Sequence, residues 1–151
     1  MTETAQRSYT IKEAAVLTGL PASTLRYYES IGIVPAISRG ASSKHRVYDE
    51  ADLDQLMWIA CLSATGMSVA DMRRYVANRE LGSAAAGEQI ELLTAQQQRL
   101  ALEAEHIAVR QRYVRLKIDY WHAVEAHDLD RAELLSGQAR ELADRLKRPE
   151  R

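Results

Sequence analysis

The sequence predicts a mainly α-helical protein: a winged helix-turn-helix domain with a small β-hairpin wing, then a long dimerisation coiled-coil helix and a short C-terminal helix. Three observations predict it. Two short helical patterns flank the turn Gly19-Leu20-Pro21, as in helix-turn-helix motifs. A basic, glycine-containing loop follows at residues 39–46. Residues 88–121 then carry an apolar heptad repeat without Gly or Pro, which is typical of a coiled coil.

The helix-turn-helix is predicted from its caps and its two faces. Thr10 stands three residues before Glu13, the spacing of a capping box at a helix start. Gly19 suits a helix end with positive φ, and Pro21 suits entry into the next helix. Leu25 and Tyr28 give the second helix an apolar face. Its opposite face carries the candidate DNA-reading residues Ser23, Thr24, Arg26 and Tyr27.

The wing is predicted from the segment after the second helix. Pro35 breaks the helical pattern, and residues 36–37 and 47–48 can pair as a hairpin around the basic loop. The candidate backbone-gripping residues of this loop are cationic or titratable: Arg39, Lys44, His45 and Arg46. Tyr9 and Tyr48, at the two ends of the whole segment, complete the predicted DNA-binding set.

This half of the chain resembles the MerR-type bacterial transcription regulators. The resemblance rests on residues 9–11, the run STLRYYE at residues 23–29, Gly32-Ile33, Arg46-Val47-Tyr48 and residues 66–68. It implies a dimer that binds double-stranded promoter DNA at a palindromic site, distorts the promoter spacer and acts on RNA polymerase there. The family's wing usually turns at Asn-Gly, whereas Ser43-Lys44 takes that place here.

The overall charge of −1 conceals an asymmetry. Residues 1–48 contain six Lys/Arg and three acids, 6 − 3 = +3, so the remaining residues carry 14 − 18 = −4. A local basic surface suffices for phosphate binding. No apolar run is long enough to span a membrane, and residues 1–8 predict a disordered lead rather than a signal peptide. A single cysteine, Cys61, fits a reducing cytoplasm, and we expect a cytoplasmic location.

Two further helices are predicted before the heptad repeat. Asp49 is a plausible N-cap of a third helix with an apolar stripe that includes Leu53, Leu56 and Ile59. Gly66 ends it, and Ser68 caps a fourth helix. The DNA-binding domain is therefore expected over residues 9–80, followed by a linker at residues 81–87.

The heptad repeat predicts a homodimer. Residues spaced seven apart form two columns along the predicted helix. The first column is apolar at every position, and the second is apolar at alternate positions. A single helix cannot bury such a surface alone, so a partner helix is expected over residues 88–121. The predicted interface residues are Ile90, Leu93, Leu100, Ala104, Ile107, Val114, Ile118 and Trp121. The family resemblance implies that the two helices pair antiparallel. Residues 122–151 predict a last helix and a charged tail.

No enzyme site, metal site or cofactor is expected. The four histidines are scattered, and no phosphate-binding glycine loop is present. Cys61 has two interpretations. A free cysteine is often a buried core thiol. However, residues 59–68 and 116–120 are similar to the branch of MerR regulators that responds to aldehydes and other electrophiles through one cysteine in this helix.

Two classes of protein therefore fit the sequence. One is a DNA-binding transcription regulator. The alternative is a coiled-coil interaction or scaffold protein whose front half is a degenerate DNA reader. The residues that discriminate are Arg26, Tyr27, Arg39 and Arg46, because a scaffold does not need them together on one face.

Overall fold

The computed structural model describes residues 7–148 of the chain. Most of the predicted lead, residues 1–6, and the end of the predicted tail, residues 149–151, lie outside the described residues. The chain divides into two compact units, Met1–Thr94 and Ala95–Arg151. Among the described residues the α-helices are α1 Ile11–Thr18, α2 Ala22–Ser30, α3 Glu50–Ala64, α4 Val69–Arg79, α5 Ala86–Glu125 and α6 Leu129–Lys147.

The helix ends follow the capping signals of the sequence. Thr10 and Glu13 form a reciprocal capping box at α1, in which each backbone N–H donates to the other residue's side chain, at 3.2 and 3.1 Å. Asp49 and Asp52 form the same arrangement at α3. Gly19 ends α1 with φ of 74°, a left-handed conformation that glycine adopts without steric cost. These caps fix where α1 and α3 begin and how sharply the chain turns into α2.

The first unit encloses one hydrophobic core. Leu25 and Tyr28 on the inner face of α2 are buried in this core, and the Tyr28 hydroxyl donates to Ser63 Oγ on α3 at 3.2 Å. Of the predicted inward residues of α3, Leu53, Leu56 and Ile59 are buried, whereas Ala60 and Ser63 are half-buried. With its inner face committed to this core, α2 exposes its opposite face to solvent. The core residues are Ala14, Leu20, Leu25, Tyr28, Ile33, Val34, Ile37, Tyr48, Leu53, Leu56, Ile59, Met67 and Met72.

The wing is held by isolated bridges instead of a regular two-stranded ladder. Arg39 and Arg46 form an antiparallel bridge, and the Val47 N–H donates to the Ser38 carbonyl at 2.8 Å. The predicted pairing at Tyr48 does not extend this ladder, because the Tyr48 backbone pairs with Tyr9. Lys44 occupies the tip with φ of 56°. A non-glycine residue with this φ carries steric strain.

The segment predicted as a linker joins the long helix directly. Gly82–Ala85 form one 3-10 turn, and α5 begins at Ala86, two residues before the predicted start of the coiled coil. Alanine favours helix, which accounts for this early start. The first turn of α5 is fastened to α4, where Glu88 pairs with Arg74 and Gln89 Nε2 donates to the Tyr75 carbonyl at 2.9 Å.

The second unit is a helical hairpin formed by the later part of α5 and α6. His127, with φ of 58°, lies in the connecting turn, and Asp128 caps α6 by accepting from the Arg131 N–H at 3.2 Å. The buried residues of this hairpin are Leu116, Ala123, Ala132, Leu135, Ala139 and Leu142. They place α6 against one side of α5, so the predicted last helix folds back as a helical partner.

Candidate nucleic-acid interface

The outer face of α2 presents the predicted reading residues. Ser23, Arg26 and Tyr27 are exposed, and Thr24 is half-buried. Tyr27 keeps half of its surface in solvent, although its ring centroid lies 6.3 Å from that of buried Tyr28. A short helix whose inner face is locked in a core and whose outer face carries Arg and Tyr has the form of a major-groove reading helix.

Basic residues from three elements meet beside this helix. An open cleft of about 270 Å³ lies between the start of α1, the middle of α2 and the wing. The sequence predicted four of its residues, Arg26, Arg39, His45 and Arg46, but not the contribution of α1. Its lining is Thr10, Ile11, Lys12, Arg26, Arg39, His45 and Arg46. Lys12 did not stand out in the sequence, because the local pattern of α1 does not distinguish a lysine that lines this cleft from a solvated one.

The wing side chains also hold the wing in shape. Arg39 donates through Nη1 to the Lys44 carbonyl at 3.2 Å, which spans the strained tip. Lys44 and His45 are exposed beside it. The tip therefore presents charge to solvent, and its backbone is hydrogen-bonded by the exposed Arg39 side chain.

Arg46 is placed differently from the other wing cations. Its Nε lies 2.6 Å from Glu29 Oε2 on α2, and the side chains of Arg46 and Glu29 are only 19% and 15% exposed. A half-buried ion pair is screened less by solvent than one at the surface. Arg46 therefore joins the wing to α2, in addition to lining the cleft.

The two tyrosines at the ends of the segment lie outside this cleft. The Tyr9 hydroxyl donates to Glu50 Oε1 at 2.9 Å, and that bond raises the pKa of Tyr9. Tyr48 is 1% exposed and belongs to the core, where burial raises its pKa. The prediction that Tyr48 contacts DNA is corrected here, since its side chain does not reach the surface. Tyr48 was included because it ends the wing segment, but its side chain belongs to the core.

Replacing Tyr48 by Phe is expected to stabilise the protein by about 1 kcal/mol and to leave DNA affinity unchanged. The Tyr48 hydroxyl is buried without a hydrogen-bond partner among the described residues, and such a group costs about 1–3 kcal/mol. Because its pKa lies above 10.0 in the folded protein, the wild type also loses stability as pH rises above that value, and the variant does not. Urea denaturation at neutral and alkaline pH measures both effects. Tyr9→Phe is the control, since it loses the bond to Glu50 and is not stabilised.

The predicted interface residues of α5 lie exposed along the helix in this single chain. Trp121 keeps 64% of its surface in solvent, and the apolar members from Ile90 to Ile118 are all exposed. We call this set, Ile90, Leu93, Leu100, Ala104, Ile107, Val114, Ile118 and Trp121, the apolar stripe. The side of α5 that packs on α6 uses other residues, among them Val109, Tyr113, Leu116 and Tyr120.

Cys61 is exposed near the end of α3. Its exposure excludes the interpretation of Cys61 as a buried core thiol. Within residues 7–148 no cluster of three or more His, Cys, Asp or Glu side chains has the arrangement of a metal site. No helix among those residues is long and apolar enough to cross a membrane.

The bridged wing and the basic cleft define the chain as a winged helix-turn-helix protein by its fold. Residues 9–79 match the family model described as MerR HTH family regulatory protein. An uncharacterised HTH-type transcriptional regulator of Haemophilus influenzae is 32% identical over 109 residues, which are 72% of this chain and 78% of that protein. The chain belongs to the MerR family of helix-turn-helix regulatory proteins.

Two further comparisons agree with this membership. YyaN, an uncharacterised HTH-type transcriptional regulator of Bacillus subtilis, is 40% identical over 68 residues, 45% of this chain. Those residues span about half of YyaN, 49% of its length. The crystal structure of HiNmlR, a MerR family regulator lacking the sensor domain, bound to promoter DNA, superposes with a TM-score of 0.68 at 25% identity. The match covers 85% of this chain and 96% of that one.

Proposed function

We propose that this protein is a transcription regulator that acts in the cytoplasm by binding promoter DNA as a homodimer. The observation that carries the proposal is the cleft in which Lys12, Arg26, Arg39 and His45 converge beside the exposed face of α2. A reading helix in the major groove with a cationic wing on the adjacent phosphates is the arrangement that these side chains fit. A scaffold protein would not need cations from three separate elements gathered around one helix.

The second part of the proposal is the dimer, in which the apolar stripe of α5 packs on the same stripe of a second copy. Exposed apolar residues at both heptad columns are what a coiled-coil partner would bury. Because α6 packs against α5 residues outside the apolar stripe, the stripe is available to bind another chain.

Charges beside the stripe favour antiparallel pairing. Glu103 and Arg110 flank the stripe on the same side, one heptad apart, and Arg115 flanks its other side. In an antiparallel pair centred between Ala104 and Ile107, Glu103 of each copy lies beside Arg110 of the other. Parallel pairing would instead bring Arg110 against Arg115, a like-charge contact repeated twice. Antiparallel helices separate two identical reading helices, which suits a palindromic site.

The action that we propose at the promoter is distortion of the spacer, so that RNA polymerase can engage both promoter elements. Bending or untwisting a site costs on the order of several kcal/mol, and the second reading helix supplies contacts that offset it. A gel shift with the protein's own upstream DNA at stated salt tests the DNA-binding proposal. Failure to prefer that DNA over a scrambled duplex would reject it.

We further propose that Cys61 responds to reactive aldehydes, as the family resemblance of residues 59–68 implies. Two features support it: the thiol is exposed, and the helix that carries it is joined to α2 by the Tyr28–Ser63 hydrogen bond. The thiol sulfur adds to the aldehyde carbon, the carbon–oxygen π bond becomes a hydroxyl group, and the thiol proton ends on that oxygen. The added group changes the volume and polarity of this exposed position on α3.

Changing Cys61 to Ser is expected to abolish aldehyde-induced expression and to leave DNA affinity unchanged. A reporter fused to the bound promoter, challenged with formaldehyde or methylglyoxal, measures the first property, and anisotropy measures the second. Cys61→Ala is the companion variant, because it removes the nucleophile without leaving a hydroxyl group in its place. Induction that survives both changes would remove Cys61 from the response and would leave the DNA-binding proposal intact.

A further inference from the structure

The reading helix and the wing are joined by one acidic side chain, Glu29. Its Oε2 lies 2.6 Å from Arg46 Nε, and its Oε1 accepts a hydrogen bond from the Ile37 N–H at 3.4 Å. The two oxygens therefore hold both sides of the wing, the segment that leaves α2 and the segment that returns from the tip.

The same carboxylate lies next to the residues that face DNA. Glu29 follows Arg26 and Tyr27 within one turn of α2, so its position on the helix is fixed relative to theirs. The backbone of Arg46 forms a β-bridge with that of Arg39, and the Arg39 side chain donates a hydrogen bond to the Lys44 carbonyl at the tip. A continuous series of contacts thus runs from α2 through Glu29 to the wing tip.

We infer that Glu29 is a positioning residue for DNA recognition, an inference that rests on the proposed function. Glu29 sets the distance between the reading helix and the wing, so that both contact one duplex in register. Glu29 itself touches no phosphate, because its negative charge would be repelled there. Its contribution is to hold Arg46 and the wing backbone in the orientation that DNA requires before DNA arrives. Contacts held in place in advance do not have to be ordered on binding.

Substituting Glu29 by Gln separates this role from simple electrostatics, because the two explanations predict opposite changes in operator affinity. Removing a negative charge beside a basic cleft strengthens DNA binding if charge alone matters. If Glu29 positions the wing, operator binding weakens by roughly 10- to 100-fold, the effect of losing one or two specific contacts. Affinity for a scrambled duplex stays the same or increases. Both affinities are measured by anisotropy with the full-length protein, and thermal melting confirms that each variant is folded at the assay temperature.

Two further variants complete the test. Glu80→Gln is the matched control, since Glu80 is an exposed glutamate of the same domain outside the cleft, and its operator affinity should equal that of the wild type. In the double variant Glu29→Gln/Arg46→Gln, operator binding should be no weaker than in Arg46→Gln alone, because the two residues act as a unit. A Glu29→Gln protein that binds the operator as well as or better than the wild type overturns the positioning role. Wild-type protein that fails to prefer the operator rejects the proposed function itself.

Discussion

The Leu100→Asp/Ile107→Asp variant is expected to be a monomer that no longer binds a palindromic site tightly. Both side chains are exposed in the single chain and lie on the apolar stripe. In the proposed dimer they would bury four carboxylates in an apolar interface, and unpaired buried charge is strongly unfavourable. Each half-site would then be bound alone, and loss of the linkage weakens binding by roughly 10²- to 10⁴-fold. Sedimentation measures the mass, and anisotropy measures the affinity.

The control for this prediction is Leu102→Asp. Leu102 is 56% exposed on the same helix, but it belongs to neither heptad column. The variant should therefore remain a dimer with normal DNA binding. A wild-type chain that sediments as a folded monomer at micromolar concentration would show that the stripe serves some other purpose.

The Arg26→Ala variant is expected to lose about 1–3 kcal/mol of operator binding and to discriminate less between operator and altered sites. Arg26 is exposed on the outer face of α2 and also lines the cleft shared with the wing. It is the only predicted reading residue that does both. A bidentate arginine contact to a guanine accounts for an effect of this size. Competition between the operator and single-base variants of it measures the change in specificity.

Arg140→Ala provides the matched control, because Arg140 is an exposed arginine on α6 in the second unit. Its removal lowers the net charge by the same amount and should leave operator affinity and specificity unchanged. If Arg26→Ala and Arg140→Ala bind the operator alike, α2 does not read the DNA as proposed.

The local features of this fold were predictable because each depends on neighbours in the sequence. The capping box at Thr10 requires a spacing of three residues and forms as that spacing predicts, and Asp49 caps α3 as predicted. The inner faces of α2 and α3 follow from helical periodicity, which correctly places five residues in the core: Leu25, Tyr28, Leu53, Leu56 and Ile59. The apolar stripe was found in the same way, since a heptad repeat is visible without any knowledge of the partner.

The remaining features depend on contacts between distant residues. Glu29 and Arg46 are 17 residues apart, and no periodicity connects them. The burial of Tyr48 follows from its backbone pairing with Tyr9, far earlier in the chain, so the wing pattern alone could not separate a core tyrosine from a DNA-facing one. Cys61 is adjacent to the inward stripe of α3, where a small rotation of the helix decides between burial and exposure.

Promoter recognition by a dimer is most directly tested by titrating the full-length protein onto the DNA upstream of its own coding region at several salt concentrations. We expect one dimer per palindromic duplex and preference over a scrambled duplex. We also expect a log–log salt dependence whose slope is about −0.9 for each phosphate contacted. Equal affinity for both duplexes, or binding that does not weaken as salt is raised, would contradict promoter recognition by a dimer.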